Sequence, residues 1–276
     1  MWRKILIMKK LIVIVLCLVI NSVSAITAND TTPTQDKSHP AGLKEKYRLS
    51  LADEYSRVTV GERKGYWNVF NSTLSYQHNY GILQSTYLSL NELKRFGDTD
   101  NTIDAGAYFK SPDAYGRIEL GIGAKVDYVY QSQATLEYAH RISGPCFVQL
   151  GARHRNHETG DVKIYSPGLA YYFGNHYINA DYNTSSTQKR GSAHWVALKS
   201  AFVINEYATL RLGAVKGERI YDINFLDAPE QKGYIAYANA EFKISNNVGF
   251  SLGASHSEEK PSFTKRSLDS GISIKF

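Results

Sequence analysis

A strict alternation of apolar and polar residues constrains this chain most, and it is clearest in the last nine residues. Leu268, Ile272, Ile274 and Phe276 share one face of this stretch with Ser270. The residues between them are small, polar or charged. Successive side chains of a β-strand point to opposite faces, so the pattern predicts a strand that separates two different environments.

The same alternation recurs from about residue 45 to the carboxy terminus, in segments separated by turn-forming residues. Ile118, Leu120 and Ile122, for example, alternate with Glu119 and Gly121. The segments predict fourteen strands, near residues 47–59, 67–77, 82–93, 102–110, 115–127, 134–142, 146–156, 161–173, 177–186, 192–203, 207–217, 233–244, 248–257 and 265–276. The predicted fold class is all-β, a transmembrane antiparallel up-and-down β-barrel of about fourteen strands, with twelve as the alternative even number.

The lengths of the connections support a barrel that spans a membrane. Connections after even-numbered strands are brief, whereas several after odd-numbered strands are longer and more charged, at residues 94–100, 187–191, 218–232 and 258–264. Outer-membrane barrels have short periplasmic turns and longer extracellular loops. With an even number of strands, the pattern predicts that both termini lie on the periplasmic side.

Pro167 interrupts the predicted eighth strand near its middle. Proline has no backbone N–H, so it would cost a ladder hydrogen bond unless the strand contains a bulge at this position.

The first 44 residues differ from the rest. Residues 1–25 contain a basic start, an apolar run and a small-residue end at Val23, Ser24 and Ala25, which predicts a secretory signal peptide. Residues 26–44 are rich in Thr, Asp, Asn and Pro and predict a disordered periplasmic lead. We therefore expect a signal peptide at 1–25, a lead at 26–44 and an outer-membrane barrel at 45–276.

Composition argues against a nucleic-acid partner. The chain has 32 Lys and Arg against 26 Asp and Glu, but four of the basic residues lie in the predicted signal peptide, which leaves 28 against 26. This near balance offers no basic surface for nucleic acid. Cys146 is the single cysteine beyond the signal peptide, so no intramolecular disulfide is expected.

Aromatic residues concentrate near the predicted strand ends, where transmembrane barrels carry girdles at the two lipid–water interfaces. An ordinary preference of β-proteins for tyrosine would also account for part of this pattern. The predicted girdle residues are Trp67, Tyr80, Tyr115, Tyr128, Tyr130, Tyr171, Tyr172, Phe173, Tyr177 and Tyr207.

Three stretches carry a resemblance to a known family. Residues 149–156 (QLGARHRN), 162–174 (VKIYSPGLAYYFG) and 93–97 (LKRFG) resemble motifs of the YaiO-type outer-membrane β-barrel family. The terminal Phe276 also resembles the closing strand of such barrels, which the barrel-assembly machinery reads through Leu268, Ile272, Ile274 and Phe276. The resemblance implies a location in a Gram-negative outer membrane and, by association, a role beside surface-polysaccharide secretion.

Charged residues of mixed sign alternate with the apolar face and are predicted to point into the lumen. They include Arg117, Glu119, Lys125, Glu137, Arg141, Arg153, Arg155, Lys163, Asp181, Arg211, Glu241, Lys243 and Asp269. One interpretation is a salt-bridged network that fills the lumen. The functional interpretation is a polar conduit for a hydrophilic solute, in which Arg153, Arg155 and Arg211 bind acidic groups and Tyr108 and Tyr237 stack on sugar rings.

Two other classes of function stay open. Ser257 between His256 and Glu258, with His154 and His157 elsewhere, would suit a lipid hydrolase at the barrel rim, but neighbours on a strand point to opposite faces. The other rival is a structural or adhesive surface barrel. We expect no cofactor and no metal, because no His, Cys or Asp spacing matches a zinc or calcium site. The expected partners are outer-membrane lipid, the assembly machinery, and a polysaccharide or a periplasmic or inner-membrane secretion partner.

Overall fold

A computed structural model describes residues 46–78, 81–124, 126, 129–158, 160–187, 191–218, 232–260 and 263–276. The predicted signal peptide and lead lie outside these residues. None of the described residues belongs to a helix long and apolar enough to cross a membrane.

Fourteen antiparallel strands make up the described chain, in agreement with the number predicted from the alternation. They are β1 (Tyr47–Val60), β2 (Arg63–Gln77), β3 (Leu83–Arg95), β4 (Asp98–Lys110), β5 (Ala114–Ala124), β6 (Ser132–Ser143), β7 (Cys146–His157), β8 (Gly160–Phe173), β9 (His176–Thr187), β10 (Gly191–Asn205), β11 (Ala208–Glu218), β12 (Lys232–Lys243), β13 (Val248–Glu259) and β14 (Phe263–Lys275).

The strands form a closed barrel in which each pairs with its neighbours in sequence, and β14 pairs with β1. At this seam Tyr47 and Phe276 exchange two backbone hydrogen bonds, of 2.9 and 3.0 Å. Closure leaves no unpaired strand edge, which is a requirement for a sheet that spans lipid. We call the end that carries Tyr47 and Phe276 the terminal end and the opposite end the far end.

The outer face is apolar over the middle of the strands. Leu120 and Ile122 of β5 are 62% and 63% exposed, values that would be unusual for aliphatic residues in a water-soluble sheet. The outer residues Leu268, Ile272 and Ile274 of β14 also belong to this band, as the alternation predicted. An outward apolar band of this kind is the surface that faces lipid in a transmembrane barrel.

Aromatic rings border the band at both ends, but most are not the predicted ones. Trp67, Tyr115, Tyr130, Tyr172 and Tyr177 are buried or half-buried inside the barrel, so these assignments were wrong. Tyr171, Phe173 and Tyr207 do lie outside, and Tyr80 and Tyr128 lie outside the described residues. Further outward rings are Tyr47, Tyr76, Phe202, Phe242 and Phe276 at the terminal end, and Tyr55, Tyr66, Tyr165, Tyr182 and Tyr234 at the far end.

The far-end connections are mostly shorter than predicted. β3 runs to Arg95 and β4 begins at Asp98, so the expected loop at residues 94–100 is a turn of two residues, Phe96 and Gly97. Gly97, with a φ of 101°, and Phe96, with a φ of 49°, take the left-handed backbone of this turn. Lys94, Arg95, Asp98 and Asp100, which were assigned to this loop, are instead strand residues. Seven residues, 125–131, separate β5 from β6, and the predicted loop at 218–232 lies mostly outside the described residues.

β8 accommodates Pro167 without a bulge. The pairing of β8 with β9 keeps one register on either side of the proline, from Tyr165 with Thr184 to Gly168 with Asp181. No paired residues are found between these two positions. Because Pro167 has no N–H to donate, the ladder is interrupted locally and resumes in the same register.

Candidate functional site

The ten charged residues predicted to line the lumen all lie on the inner face of their strands. These are Arg117, Glu119, Glu137, Arg141, Arg153, Arg155, Asp181, Arg211, Glu241 and Lys243. Asp269 is also inward. Lys163 instead pairs with His154 on the outer face, so its inward assignment was wrong, and Lys125 lies outside the described residues.

An ionic cluster crosses β3 to β7 inside the barrel. Arg117 makes two hydrogen bonds to Glu137, of 2.7 and 3.1 Å, and a third, of 3.4 Å, to Glu119. Tyr87 donates to Glu119 over 2.5 Å, and Arg153 lies 4.0 Å from Glu137. The cluster fixes these charges against the wall, because each carboxylate has a cationic partner and at least two contacts.

A second network lies closer to the far end and is centred on Asp104. Tyr130, from the connection between β5 and β6, donates to Asp104, which also accepts hydrogen bonds from Asn91 at 2.7 Å and Gln133 at 3.2 Å. Arg155 donates to Gln133 over 3.1 Å, and its guanidinium lies 5.7 Å from the centre of the Tyr130 ring. The connection is therefore anchored inside the barrel rather than extending from it.

Aromatic and amide side chains form one wall of the lumen near the terminal end. Tyr172 donates to Tyr115 over 2.9 Å, and Gln149 donates to Tyr115 over 2.5 Å. Asn179 in turn donates to Gln149, and Phe147 packs on both tyrosine rings. We call this surface, made by Tyr115, Phe147, Gln149, Tyr172 and Asn179, the aromatic wall.

Basic residues lie across the lumen from the aromatic wall. Arg48 of β1 and Lys275 of β14 are directly opposed in register on the inner face. Lys243 of β12 and Lys46, just before β1, line the same cavity. We call these four residues the basic wall. Two like charges directly opposite each other repel, so the basic wall favours an anion close to it.

A cavity of about 980 Å³ separates the two walls and reaches the terminal-end turns at Asn175 and Glu206. Among the described residues, seven cationic and three acidic side chains line it, so its surface carries an excess of positive charge. Lys199 lies 3.2 Å from Asp181 at its middle. On the side of β6 to β11, the lining extends toward the far end as far as Trp195.

Apolar side chains occupy part of the far end. Val58, Val60, Trp67 and Phe263 form a buried cluster inside the barrel, and Phe96 packs against it from the β3–β4 turn. We call this the Trp67 cluster. Arg95 stacks on the Trp67 ring at 4.2 Å from its centre. The lumen beneath β1, β2 and β14 is therefore filled at this end.

The residues predicted to bind acidic groups are held in the wall rather than at the cavity mouth. Arg211 makes an ion pair of 2.8 Å with Glu241, whereas Arg153 and Arg155 belong to the two networks above. Tyr237, predicted to stack on sugar, lies flat across Gly213. Arg48, Lys46 and Lys275 were not predicted from the sequence. The alternation in β14 nevertheless places Lys275 on the face opposite the apolar residues.

The side chains considered for lipid hydrolysis lie apart. Ser257 is buried on the inner face, whereas His256 lies on the outer face against the Tyr234 ring. His154 is on the outer face of β7, 3.6 Å from Asp161. A serine nucleophile needs a histidine within hydrogen-bond reach, and Ser257 has neither of these two on its side of the wall. Within the described residues no group of three His, Cys, Asp or Glu side chains could hold a metal ion.

Comparison with protein families identifies this architecture. The model of the YaiO membrane beta barrel domain matches residues 46–214, which is more than half of the chain. The chain belongs to the YaiO family. A search of curated proteins found no match.

Solved structures show where this YaiO barrel stands among outer-membrane folds. A bacterial polysaccharide outer membrane secretin is 9% identical, with a TM-score of 0.53 over 83% of this chain and 98% of the other. The CymD monoaromatic hydrocarbon channel is 7% identical, with a TM-score of 0.53 over 85% and 89%. Omp33 of Acinetobacter baumannii is 9% identical, with a TM-score of 0.50 over 84% and 99%. At these identities the likeness establishes the fold alone, that of an outer-membrane β-barrel.

Proposed function

We propose that this YaiO barrel is a non-enzymatic conduit for an anionic hydrophilic chain, of which an acidic oligosaccharide is the best fit. One observation carries the proposal: the cavity at the terminal end has the basic wall on one side and the aromatic wall on the other. Cations bind carboxylate groups, aromatic rings stack on sugar faces, and amides hydrogen-bond to hydroxyls.

The direction of passage follows from the orientation of the barrel. Its longest connections are at the far end, which in outer-membrane barrels faces outward. The basic wall then faces the periplasm, where it would attract an anionic chain delivered by a periplasmic or inner-membrane secretion partner. This geometry favours export, as in surface-polysaccharide secretion, over uptake.

The test is conductance of the membrane-purified protein in a planar bilayer under a salt gradient. We expect anion selectivity, and block by an acidic oligogalacturonide at concentrations at least tenfold below those of a neutral maltooligosaccharide. Arg48→Glu with Lys275→Glu is expected to reverse the selectivity. Lys163→Glu, which reverses one charge on the outer face rather than in the lumen, is the control and should leave it unchanged. Equal block by both sugars, or selectivity unchanged in the double variant, would contradict the proposal.

A surface-binding barrel without conductance is the second candidate, and the Trp67 cluster favours it because it fills part of the far end. In this case the wild-type protein would insert and stay silent. Trp67→Ala separates the two candidates. If the cluster only narrows a conduit, removing the ring raises the conductance, whereas a barrel sealed elsewhere stays silent.

A further inference from the structure

A row of basic side chains crosses the seam of the barrel on its outer face, close to the far end. Arg57 of β1 is directly opposed to Arg266 of β14, and Arg266 is directly opposed to His256 of β13. On its other side Arg57 pairs with Tyr66 of β2. We call His256, Arg266, Arg57 and Tyr66 the seam row. Two of its members, Arg57 and Arg266, are always charged and are exposed.

Neither Arg57 nor Arg266 is found in an ion pair with another of the described residues. Two outward acids have other partners: Glu92 pairs with Lys94 at 2.7 Å, and Asp53 accepts a hydrogen bond from Asn68 at 2.8 Å. Glu258 of β13 lies on the outer face diagonal to Arg266, because it is opposed to Thr264, and no ion pair among the described residues joins it to either arginine. Directly opposed like charges destabilise a sheet, so an anion from outside the protein would relieve the repulsion.

The depth of the seam row identifies the source of this anion. Immediately toward the terminal end, the paired outer residues are Leu268, 68% exposed, and Tyr55, which stacks on Tyr66 at 5.3 Å. The next outer pair, Asp53 with Ser270, is polar, and Leu51 and Ile272 follow it on the same face. The basic groups therefore sit one step beyond the aromatic and aliphatic pair of Tyr55 and Leu268, the level of lipid headgroups in a membrane barrel. A soluble anion would use the charges but not the apolar surface beneath them.

We propose that the seam row binds the phosphorylated headgroup of an outer-leaflet glycolipid of the lipid A type. Arg57 and Arg266 bind the phosphate, while acyl chains lie against Leu268 and Ile272. Guanidinium groups suit this role because two N–H donors of one fork meet two phosphate oxygens. The site is separate from the lumen and does not depend on what the barrel transports.

The test is native mass spectrometry of the full chain purified in detergent, titrated with bisphosphorylated lipid A. The wild-type protein should retain one lipid, and Arg57→Ala with Arg266→Ala should weaken its binding at least tenfold. Lys163→Ala removes an outer cation from β8, on the opposite side of the barrel, and serves as the control with unchanged binding. Arg57→Lys with Arg266→Lys should recover part of the affinity, since it restores the charge without the fork.

Two further arms separate a lipid site from a general anion site. Lipid A stripped of both phosphates should bind as weakly to the wild-type protein as the intact lipid does to the double alanine variant. Inorganic phosphate at millimolar concentration should not displace intact lipid A. Displacement by inorganic phosphate, equal binding of the stripped lipid, or unchanged binding by the double alanine variant would each overturn the proposal. A gel shift between heated and unheated samples verifies that every variant is folded.

Discussion

Glycines on the inner face let aromatic rings lie flat against the barrel wall. At Gly213 an added methyl group would be 2.2 Å from two ring carbons of Tyr237, the residue directly opposite on β12. The ring therefore lies against the wall at the glycine. The flat position of the ring therefore depends on the missing side chain at Gly213.

Replacing Gly213 should affect both stability and lumen size. We expect Gly213→Ala to lower the free energy of unfolding by about 1–3 kcal/mol, because the methyl forces the Tyr237 ring out of its place. Urea unfolding in lipid vesicles measures this change. Gly151→Ala is the matched control, since its nearest contact would be the Ser166 Cβ at 3.1 Å, and its effect should be smaller. An equal loss in both variants would contradict the explanation.

The Arg117–Glu137 pair should be coupled energetically. The side chains are 21% and 46% exposed, so water screens part of their attraction, and we expect a coupling of about 1 kcal/mol. A double-mutant cycle with Arg117→Met and Glu137→Gln measures it by equilibrium unfolding. The Glu92–Lys94 pair on the outer surface, 39% and 55% exposed, should give a smaller coupling in the same cycle. A larger coupling energy for Glu92–Lys94 than for Arg117–Glu137 would contradict the expectation that the less exposed pair is the more strongly coupled.

The alternation of side chains along a strand predicted which residues point inward where apolar and polar residues alternate strictly. It predicted this poorly where they do not. Arg117 and Glu119 lie opposite Ile118 and Leu120, so the sequence places them inward without ambiguity. Trp67 was assigned to the outer girdle because an aromatic ring near a strand end suits either face. Its true position depends on Val58 and Val60 of the same hairpin and on Phe263, which is distant in sequence; together they create an apolar surface inside the barrel.

At the scale of the strand, Pro167 interrupts the ladder between β8 and β9 in the middle of the lipid-facing band. A backbone carbonyl that lacks its donor in such a place is costly because no water replaces it. We expect Pro167→Ala to raise the stability by about 1 kcal/mol by restoring one donor. Unfolding in vesicles measures the gain, and slower amide exchange at Ser166 and Gly168 would locate it. Pro145→Ala, in a turn, should bring no such gain, and the prediction fails if both variants behave alike.

The connection between β5 and β6 should loosen when its anchor is removed. Tyr130 holds it through Asp104, and the Val129 backbone N–H donates to Asp100 over 3.0 Å. In Tyr130→Phe the ring stays but the hydroxyl is lost, so we expect faster amide exchange at Val129 and a rise in open-state current noise. Tyr138→Phe, an outward tyrosine of β6, is the control. Unchanged exchange at Val129 would mean that the hydroxyl does not anchor the segment.

Strand number was predictable from the sequence, whereas strand ends were not. Apolar and polar residues alternate because one face of each strand contacts lipid and the other faces the lumen. Beyond the apolar band neither face contacts lipid, so the alternation ends before the strand does. There the outer face is polar as well, as at Glu92 and Lys94, so the strand has the composition of a loop. The β3–β4 turn is short because the two strands pair up to Arg95 and Asp98, and backbone pairing cannot be predicted from the hydropathy of the residues.

For the molecule as a whole, the fold class could be predicted from patterns within single strands, but the candidate site could not. Antiparallel strands that face lipid on one side must close into a barrel, because an open edge would leave backbone groups unpaired in lipid. The two-residue alternation and the number of strands were therefore sufficient to predict the fold class. The site depends on which inner residues oppose each other across β12, β14 and β1. That arrangement depends on the register at closure, which the sequence of a single strand does not specify.

The closing strand should matter more for assembly than for the stability of the finished barrel. The Phe276 ring stacks on Tyr47 at 5.5 Å, one aromatic contact among many on the terminal-end girdle. We therefore expect Phe276→Ala to cost about 1 kcal/mol in unfolding, yet to lower the amount of folded protein in the outer membrane several-fold. Folded yield on unheated gels measures the second effect. Phe242→Ala, another terminal-end ring, is the control, and equal loss of yield would contradict an assembly role for Phe276.

The pairing of β1 with β14 also sets the order in which this protein can be made. Every other pairing joins strands that are neighbours in sequence and can form as hairpins. The seam joins residues more than 200 positions apart, so it must wait until the ribosome has released the whole chain. Until then β1 presents an open edge to any other strand that it meets. We therefore expect β1 of a nascent copy to need protection from other strands for the entire time between its synthesis and the arrival of β14.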